Sequence, residues 1–323
     1  MTVDAGMATT KPGTPPVRAR IEHTGEGWRR HPATRRSHLP RGEELPVNHL
    51  VRIGVLSDLH CELEPAGSRW INAFESEHLD RRIDTALAWF SEAEVDLILV
   101  LGDSVQFANR GDLAHVFSRL AAANAAPLAT VNGNHDLRLG EEFDECAHEH
   151  GIRLLYDEPF ALAGVAVTGV VVDRGPKPPQ YVGRAGAWDG EADIVVIASH
   201  FPVLSEASRV AAAGLPYAGD LVNRSDLEGR LRSDPRPKVV LGGHIHARCS
   251  TTDGHLLQFL VGALIEPPFD ATIVEIDATG LSARRTARRL GEVAAIDPVL
   301  AADDELWQRT DGRWAIEAPV ADG

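Results

Sequence analysis

Five largely apolar runs constrain this chain more than any other feature, because each leads into residues suited to a site. The clearest is Asp96 to Asp103, DLILVLGD, where aliphatic residues run unbroken into Gly102 and Asp103. A strand reads this way when both faces of its sheet are covered, since neither face then needs polar side chains for water. The other four are Val51 to Leu56 before Asp58 and His60, Leu128 to Val131 before Asn134 and His135, Ile194 to Ala198 before His200, and Val239 to Leu241 before His244 and His246.

Between the runs, Trp70 to Ala93 carries Ile71, Phe74, Leu79, Ile83, Leu87 and Phe90 mostly at three- and four-residue steps, which predicts an amphipathic helix closing a βαβ unit. Leu113 to Ala123 and Glu141 to His150 read as further helices, and Arg153 to Leu155, Val165 to Val172, Gln258 to Leu264 and Thr272 to Ile276 as further strands. The span 173–191 has no strand or helix signature; its Arg174, Tyr181, Arg184 and Trp188, with Asn223 and Arg224 later, are candidates to meet a substrate. Residues 1–48 are rich in Pro, Gly, Thr and Arg and are expected to be a flexible tail. Residues 49–290 are expected to form one domain. Beyond Gly280, arginine-rich and then acidic residues suggest a peripheral helix and, over 291–323, a peripheral extension that Trp307 and Trp314 partly dock.

A chain of 323 residues with no long apolar stretch is expected to be soluble, and with no apolar core behind its N-terminal arginines, cytoplasmic. Cys61, Cys146 and Cys249 are an odd set without CxxC spacing, which argues against disulfides and a zinc finger. Cys61 reads as packing, and Cys146 with His150 as a solvated helix face. A net charge of −15 disfavours extended nucleic-acid binding. Small phosphorylated substrates stay open, because bound cations reverse the local field.

The five strand ends together offer imidazoles, two aspartates and an asparagine amide, with no thiolate. Such mixed ligation suits Zn, Mn, Fe, Ni or Co and exceeds what one ion needs, so two divalent metal ions sharing a carboxylate are implied. In extended chain, residues two apart project to one side, which would aim Asp58 with His60, and His244 with His246, at one place.

The motifs DLH at 58, GD at 102, GNHD at 133, the lone His200 and GHIH at 243 stand in the order of the calcineurin-like metallophosphoesterases, and residues 50–280 resemble that family. The resemblance implies an α/β fold, a four-layer αββα sandwich of two mixed β-sheets flanked by helices. It implies Asp58, His60 and His246 on one metal, Asn134, His200 and His244 on the other, and Asp103 between them. Attack of a metal-bridging hydroxide on phosphorus would follow, with His135 beside the leaving group. Many members carry Asp where this chain has Gln106, three residues after Asp103, to orient that histidine; Asp136 is the neighbouring carboxylate available instead. The implied activity is hydrolysis of a P–O ester in a small molecule, first as a phosphodiesterase. The alternatives are a phosphomonoesterase and a non-catalytic metal-binding scaffold. Nothing in the sequence sets the oligomeric state.

Overall fold

Ile53 and Val55 of the first strand face one way and Leu56 the other, and both sides are covered by protein. That arrangement recurs throughout the computed structural model, which describes residues 50–317 except 124, 189–190, 278, 280 and 293–295. The expected tail over 1–48 lies outside the described residues.

The elements follow in the order β1 (Leu50–Leu56), α1 (Leu79–Glu92), β2 (Leu97–Val100), α2 (Arg110–Ala122), β3 (Leu128–Thr130), α3 (Glu141–Glu149) and β4 (Arg153–Leu154). Next come β5 (Phe160–Leu162), β6 (Val165–Arg174), β7 (Tyr181–Ala185), β8 (Ile194–Ser199), α4 (Ala207–Ala212) and α5 (Arg224–Ser233). The chain continues through β9 (Lys238–Gly242), β10 (Cys249–Thr252), β11 (Leu256–Leu260), β12 (Asp270–Asp277), β13 (Ser282–Arg289), β14 (Asp304–Thr310) and β15 (Arg313–Ile316).

Two mixed sheets result. The first has the order β15-β14-β13-β12-β1-β2-β3-β4 and the second β10-β11-β9-β8-β6-β5, with β7 paired to β6. Alternate residues of each strand point to different layers. Val51, Ile53, Val55, Leu97 and Leu99 meet Val167, Val196, Val239, Leu241 and Phe259 between the sheets. On the outer face of the first sheet, Ile98 and Val100 pack under Ile83, Phe90, Val116 and Phe117 of α1 and α2. On the outer face of the second, Val195, Ile197 and Val240 pack under Leu227 and Leu231 of α5. The four-layer αββα sandwich is therefore present, and its doubly covered strands explain the unbroken apolar runs. Among the described residues no helix is long and apolar enough to cross a membrane.

Three expectations are corrected. The helix expected from Trp70 begins only at Leu79, after a short 3-10 turn at Ser76–His78. The carboxylate of Glu266 accepts the backbone N–H groups of Ile71 and Asn72 and holds that segment out of the helix. Within 173–191, Tyr181–Ala185 forms β7, running antiparallel to β6 from Arg174↔Tyr181 to Val170↔Ala185. This edge strand carries a glycine and an exposed arginine in five residues, too little pattern to read.

The peripheral helix is also overturned, and among the described residues of 291–323 the chain is no peripheral extension: β13, β14 and β15 are consecutive strands of the first sheet, and Trp307 and Trp314 lie between the sheets. A boundary at 290 cuts through that sheet. The signal was hidden because β13 places Arg285 at an inward position beside Ala283 and Ala287. Its buried guanidinium is balanced by Glu305 at 3.2 Å and donates to the Cys249 carbonyl.

Candidate metal centre

The five motifs meet where strands from both sheets end. Asp58, His60 and His246 bring one ligand atom each to within 4.8 Å of one another, and Asp103, His200 and His244 do the same beside them. A third group, His60, Asp103 and His135, overlaps both. Asp103 Oδ2 stands between the first two, 3.6 Å from His60 Nε2 and 3.2 Å from His200 Nε2. Asn134 completes the set, its Oδ1 3.2 Å from His200 Nε2. All eight candidates thus fall in one place, although they are scattered from 58 to 246 in sequence.

The local reason differs from the one the spacing suggested. Asp58, His60, Asp103, His244 and His246 are not extended but left-handed, with φ of 53°, 41°, 47°, 69° and 54°. Such a conformation costs an L-residue roughly 1–2 kcal/mol, so the surrounding structure must hold it. It is held by cross-motif hydrogen bonds: His60 N–H donates to the Asp103 carbonyl at 2.9 Å, His135 N–H to Asp103 Oδ1 at 2.8 Å, and His244 N–H to Asp58 Oδ2 at 3.1 Å. Glycine is required where these turns touch. A Cβ on Gly133 would come within 2.1 Å of Asp103 Oδ1, and one on Gly243 within 1.9 Å of Ser57 Oγ.

The donor set fits cations. His200 Nδ1–H donates to the Leu101 carbonyl at 2.8 Å and His246 Nδ1–H to Glu266 Oε1 at 2.5 Å, because those oxygens can only accept. Each ring therefore turns its Nε2 into the centre, where His246 Nε2 meets His60 Nε2 at 3.1 Å and Asp58 Oδ1 at 3.4 Å. Nitrogens and oxygens with lone pairs aimed at one point need positive charge between them.

The electrostatics agree. Burial opposes charge on Asp58 and Asp103, but the facing imidazoles, His246 for the first and His200 for the second, outweigh it and hold both carboxyls well below the usual range. Burial likewise opposes charge on His200 and His246. Asp103 nevertheless raises the first to about 9, and Asp58 with Glu266 the second to about 10. Burial pushes His60 and His244 down to about 3. A divalent cation bound there would displace protons from these rings.

His135 is oriented otherwise than expected. Its Nδ1–H donates to the backbone carbonyl of Gln106 at 2.7 Å, while the side-chain Oε1 of Gln106 is buried without a partner among the described residues. Asp136 does not take the missing role: it accepts the backbone N–H groups of Ser104 at 3.0 Å and Gly133 at 2.9 Å, clamping the ends of β2 and β3 together. Burial, with Asp103 beside it, pushes Asp136 up to about 7.

Sequence reasoning missed Glu266, the carboxylate behind His246. It is a lone acid in the apolar stretch VGALIEPPF, and a buried charge needing a partner was the available signal. It missed the ring walls too: Phe74 stacks on His246 at 5.9 Å between centroids, and Phe201 lies 3.8 Å from His244. A cavity of about 330 Å³ opens over the centre, walled also by Arg69 and Trp70 from the segment after β1 and by Pro179 and Tyr181 around the start of β7.

Of the expected substrate-facing residues, Arg174 and Tyr181 line cavities beside the centre. Arg184 instead faces Asp173 at 3.8 Å, and Trp188 is buried with its Nε1–H on Asp234. Asn223 is occupied by both backbone groups of Gly183, and Arg224 by Glu228 and the Val203 carbonyl. Cys61 is buried in the helix-side core. Cys146 is buried rather than solvated, and His150 Nδ1–H donates to its carbonyl at 2.8 Å.

The sequence matches the calcineurin-like phosphoesterase family over residues 51–248, the stretch that carries every candidate residue. No curated protein matches the chain in sequence. Among solved structures, a dimetal phosphatase from Danio rerio superposes with a TM-score of 0.53 at 16% identity, over 77% of this chain and 99% of the other. A Thermus thermophilus protein, TT1561, gives 0.46 at 16% identity over 71% and 95%, and the phosphoesterase Yfce from E. coli 0.38 at 15% over 76% and 100%. At such identities these likenesses speak to the fold alone, and only the first of the three exceeds a TM-score of 0.5. With its sequence match covering more than half its length, the chain belongs to the calcineurin-like phosphoesterase family.

Proposed function

We propose that this protein, a metal-dependent phosphoester hydrolase by its family, cleaves a P–O bond in a small phosphodiester at the centre around Asp103. Asp58, His60 and His246 would hold one divalent ion, Asn134, His200 and His244 a second, and Asp103 both. The observation that carries this is the position of Asp103 Oδ2 between a nitrogen of each cluster. When bound, two ions of Mn, Fe, Zn, Ni or Co supply Lewis acidity, acidifying a water and drawing charge from the phosphoryl oxygens.

The chain's own residues do the rest. His135, with Nδ1 committed to the Gln106 carbonyl, keeps Nε2 for the leaving oxygen and can hold a proton there. Phe74 and Phe201 fix the ligand rings and keep water from their faces. The cavity of about 330 Å³ over the centre, lined by Trp70 from the segment after β1 and by Tyr181 of β7, extends beyond the candidate ligands, which supports a diester. A monoester is the second reading, because the Danio rerio neighbour is described as a dimetal phosphatase. Three buried unpaired cysteines support a cytoplasmic setting.

The test is hydrolysis of bis-p-nitrophenyl phosphate and p-nitrophenyl phosphate with Mn²⁺. The diester is expected to be preferred, and Asp103→Ala to lower turnover at least about a thousandfold. Equal or reversed preference removes the diesterase assignment. A protein that binds no metal and turns over neither ester is a scaffold.

A further inference from the structure

Beside the pocket over the metal centre lies a second cavity of about 250 Å³, and the two share Asn134, Pro179 and Tyr181. Arg138 and Arg174 line it, and no acidic side chain does. This is unusual for a chain of net charge −15, whose other arginines are largely matched: Arg52 with Glu275, Arg119 with Asp80 and Asp84, Arg232 with Asp253, and Arg248 with Asp270. Neither Arg138 nor Arg174 has a side-chain hydrogen bond or ion pair among the described residues. The first sits at the end of the turn Asp136–Arg138, four positions after Asn134, and the second ends β6.

Two guanidinium groups on one small cavity repel each other unless an anion lies between them, and their planar forks match phosphate or carboxylate oxygens. At about 250 Å³ the cavity is below the usual size of a complete small-molecule site, so it serves as an extension of the larger pocket. We infer that Arg138 and Arg174 form a subsite for a second anionic group, a phosphate or carboxylate, carried by the same molecule whose phosphoester lies at the metal centre. This rests on the function proposed above and narrows it: the substrate is a phosphoester bearing a second anion on one substituent, with Tyr181 against the linker.

Alkane-α,ω-bisphosphonates from three to six carbons, whose C–P bonds resist hydrolysis, provide the probe. Their binding to the Mn²⁺-loaded protein is measured by calorimetry at low salt against alkylphosphonates of equal length. At least one bisphosphonate is expected to bind about tenfold more tightly than its single-headed counterpart. The pair Arg138→Ala and Arg174→Ala should abolish that advantage while leaving alkylphosphonate affinity within about twofold, and lysine at both positions should restore part of it. Both side chains are exposed, so unchanged melting temperatures are expected of the variants.

The inference is overturned if no chain length favours the second phosphonate, or if the alanine pair weakens both series equally. It is also overturned if inorganic phosphate alone loses affinity in the variant with no dependence on linker length, since the site would then take an independent ion. The p-nitrophenyl assays run in parallel separate the two claims. An arginine-dependent bisphosphonate advantage without hydrolysis of either ester sinks the hydrolase reading alone, and hydrolysis without that advantage sinks the subsite alone.

Discussion

Glu266 shows how much of this centre depends on residues that touch no substrate. One of its oxygens accepts from His246 Nδ1 and from the Ile71 N–H, and the other from the Asn72 N–H, so a single buried carboxylate fixes a ligand ring and the segment bearing Arg69 and Trp70. Replacing it with glutamine keeps the shape but removes the charge that favours Nδ1 protonation. Glu266→Gln is expected to weaken Mn²⁺ binding by about 10- to 100-fold in a calorimetric titration, and an affinity within about twofold of wild type would show that His246 needs no such support. At this scale the candidate ligands were legible, because aspartate, asparagine and histidine after apolar runs are chemically conspicuous. Glu266 was not, since its partner lies 20 residues away, beyond β10 and β11. The Gln106 carbonyl was not either, because a backbone atom leaves no trace in residue identity.

Among elements, the junction of α5 and β9 is tied by Asp234, which receives hydrogen bonds from Arg236, from Trp188 Nε1 at 2.9 Å and from Lys238 Nζ at 3.3 Å. The Arg236 bonds, with Trp188 and Lys238 adding, hold its carboxyl well below the usual range. Because the folded value lies below the unfolded one, the stabilisation is complete above pH about 5 and fades as pH falls through the unfolded value toward the folded one. Asp234→Asn is expected to cost about 1 kcal/mol at pH 7, read by urea denaturation, with the gap from wild type closing between pH about 5 and 2. A gap that stays constant or widens on acidification would mean that the charge of Asp234 contributes nothing. Elements buried on both faces were readable from composition alone. The edge strand β7 and the delayed start of α1 were not, since one is set by pairing with β6 and the other by a distant carboxylate.

For the molecule as a whole, the last strands are part of the core. Trp307 is 6% exposed and lies edge-on to Phe259 across the space between the sheets, 6.4 Å between centroids. Trp307→Ala is expected to destabilise the fold by about 3–5 kcal/mol in equilibrium denaturation, as removal of a buried aromatic does, whereas a loss under about 1 kcal/mol would make residues 304–316 the peripheral appendage the sequence suggested.

The chain's own pattern of apolar runs, each closing on ligand-type residues, determined that its strands are covered by protein and which residues are candidates to bind metal, while the four-layer arrangement was legible only through the family resemblance. Local chemistry is enough for that: strands covered on both faces must be apolar throughout, and few residue types bind hard or borderline cations. Three things were decided only in three dimensions. The left-handed turns bring five candidate ligands together at strand ends, because such strain persists only where neighbouring motifs hold it by hydrogen bonds. The arginine-bearing strand β13 enters the sheet because Glu305, 20 positions away, balances its buried charge. Arg138 and Arg174, 36 positions apart, share one cavity because the turn after β3 and the end of β6 are brought together there.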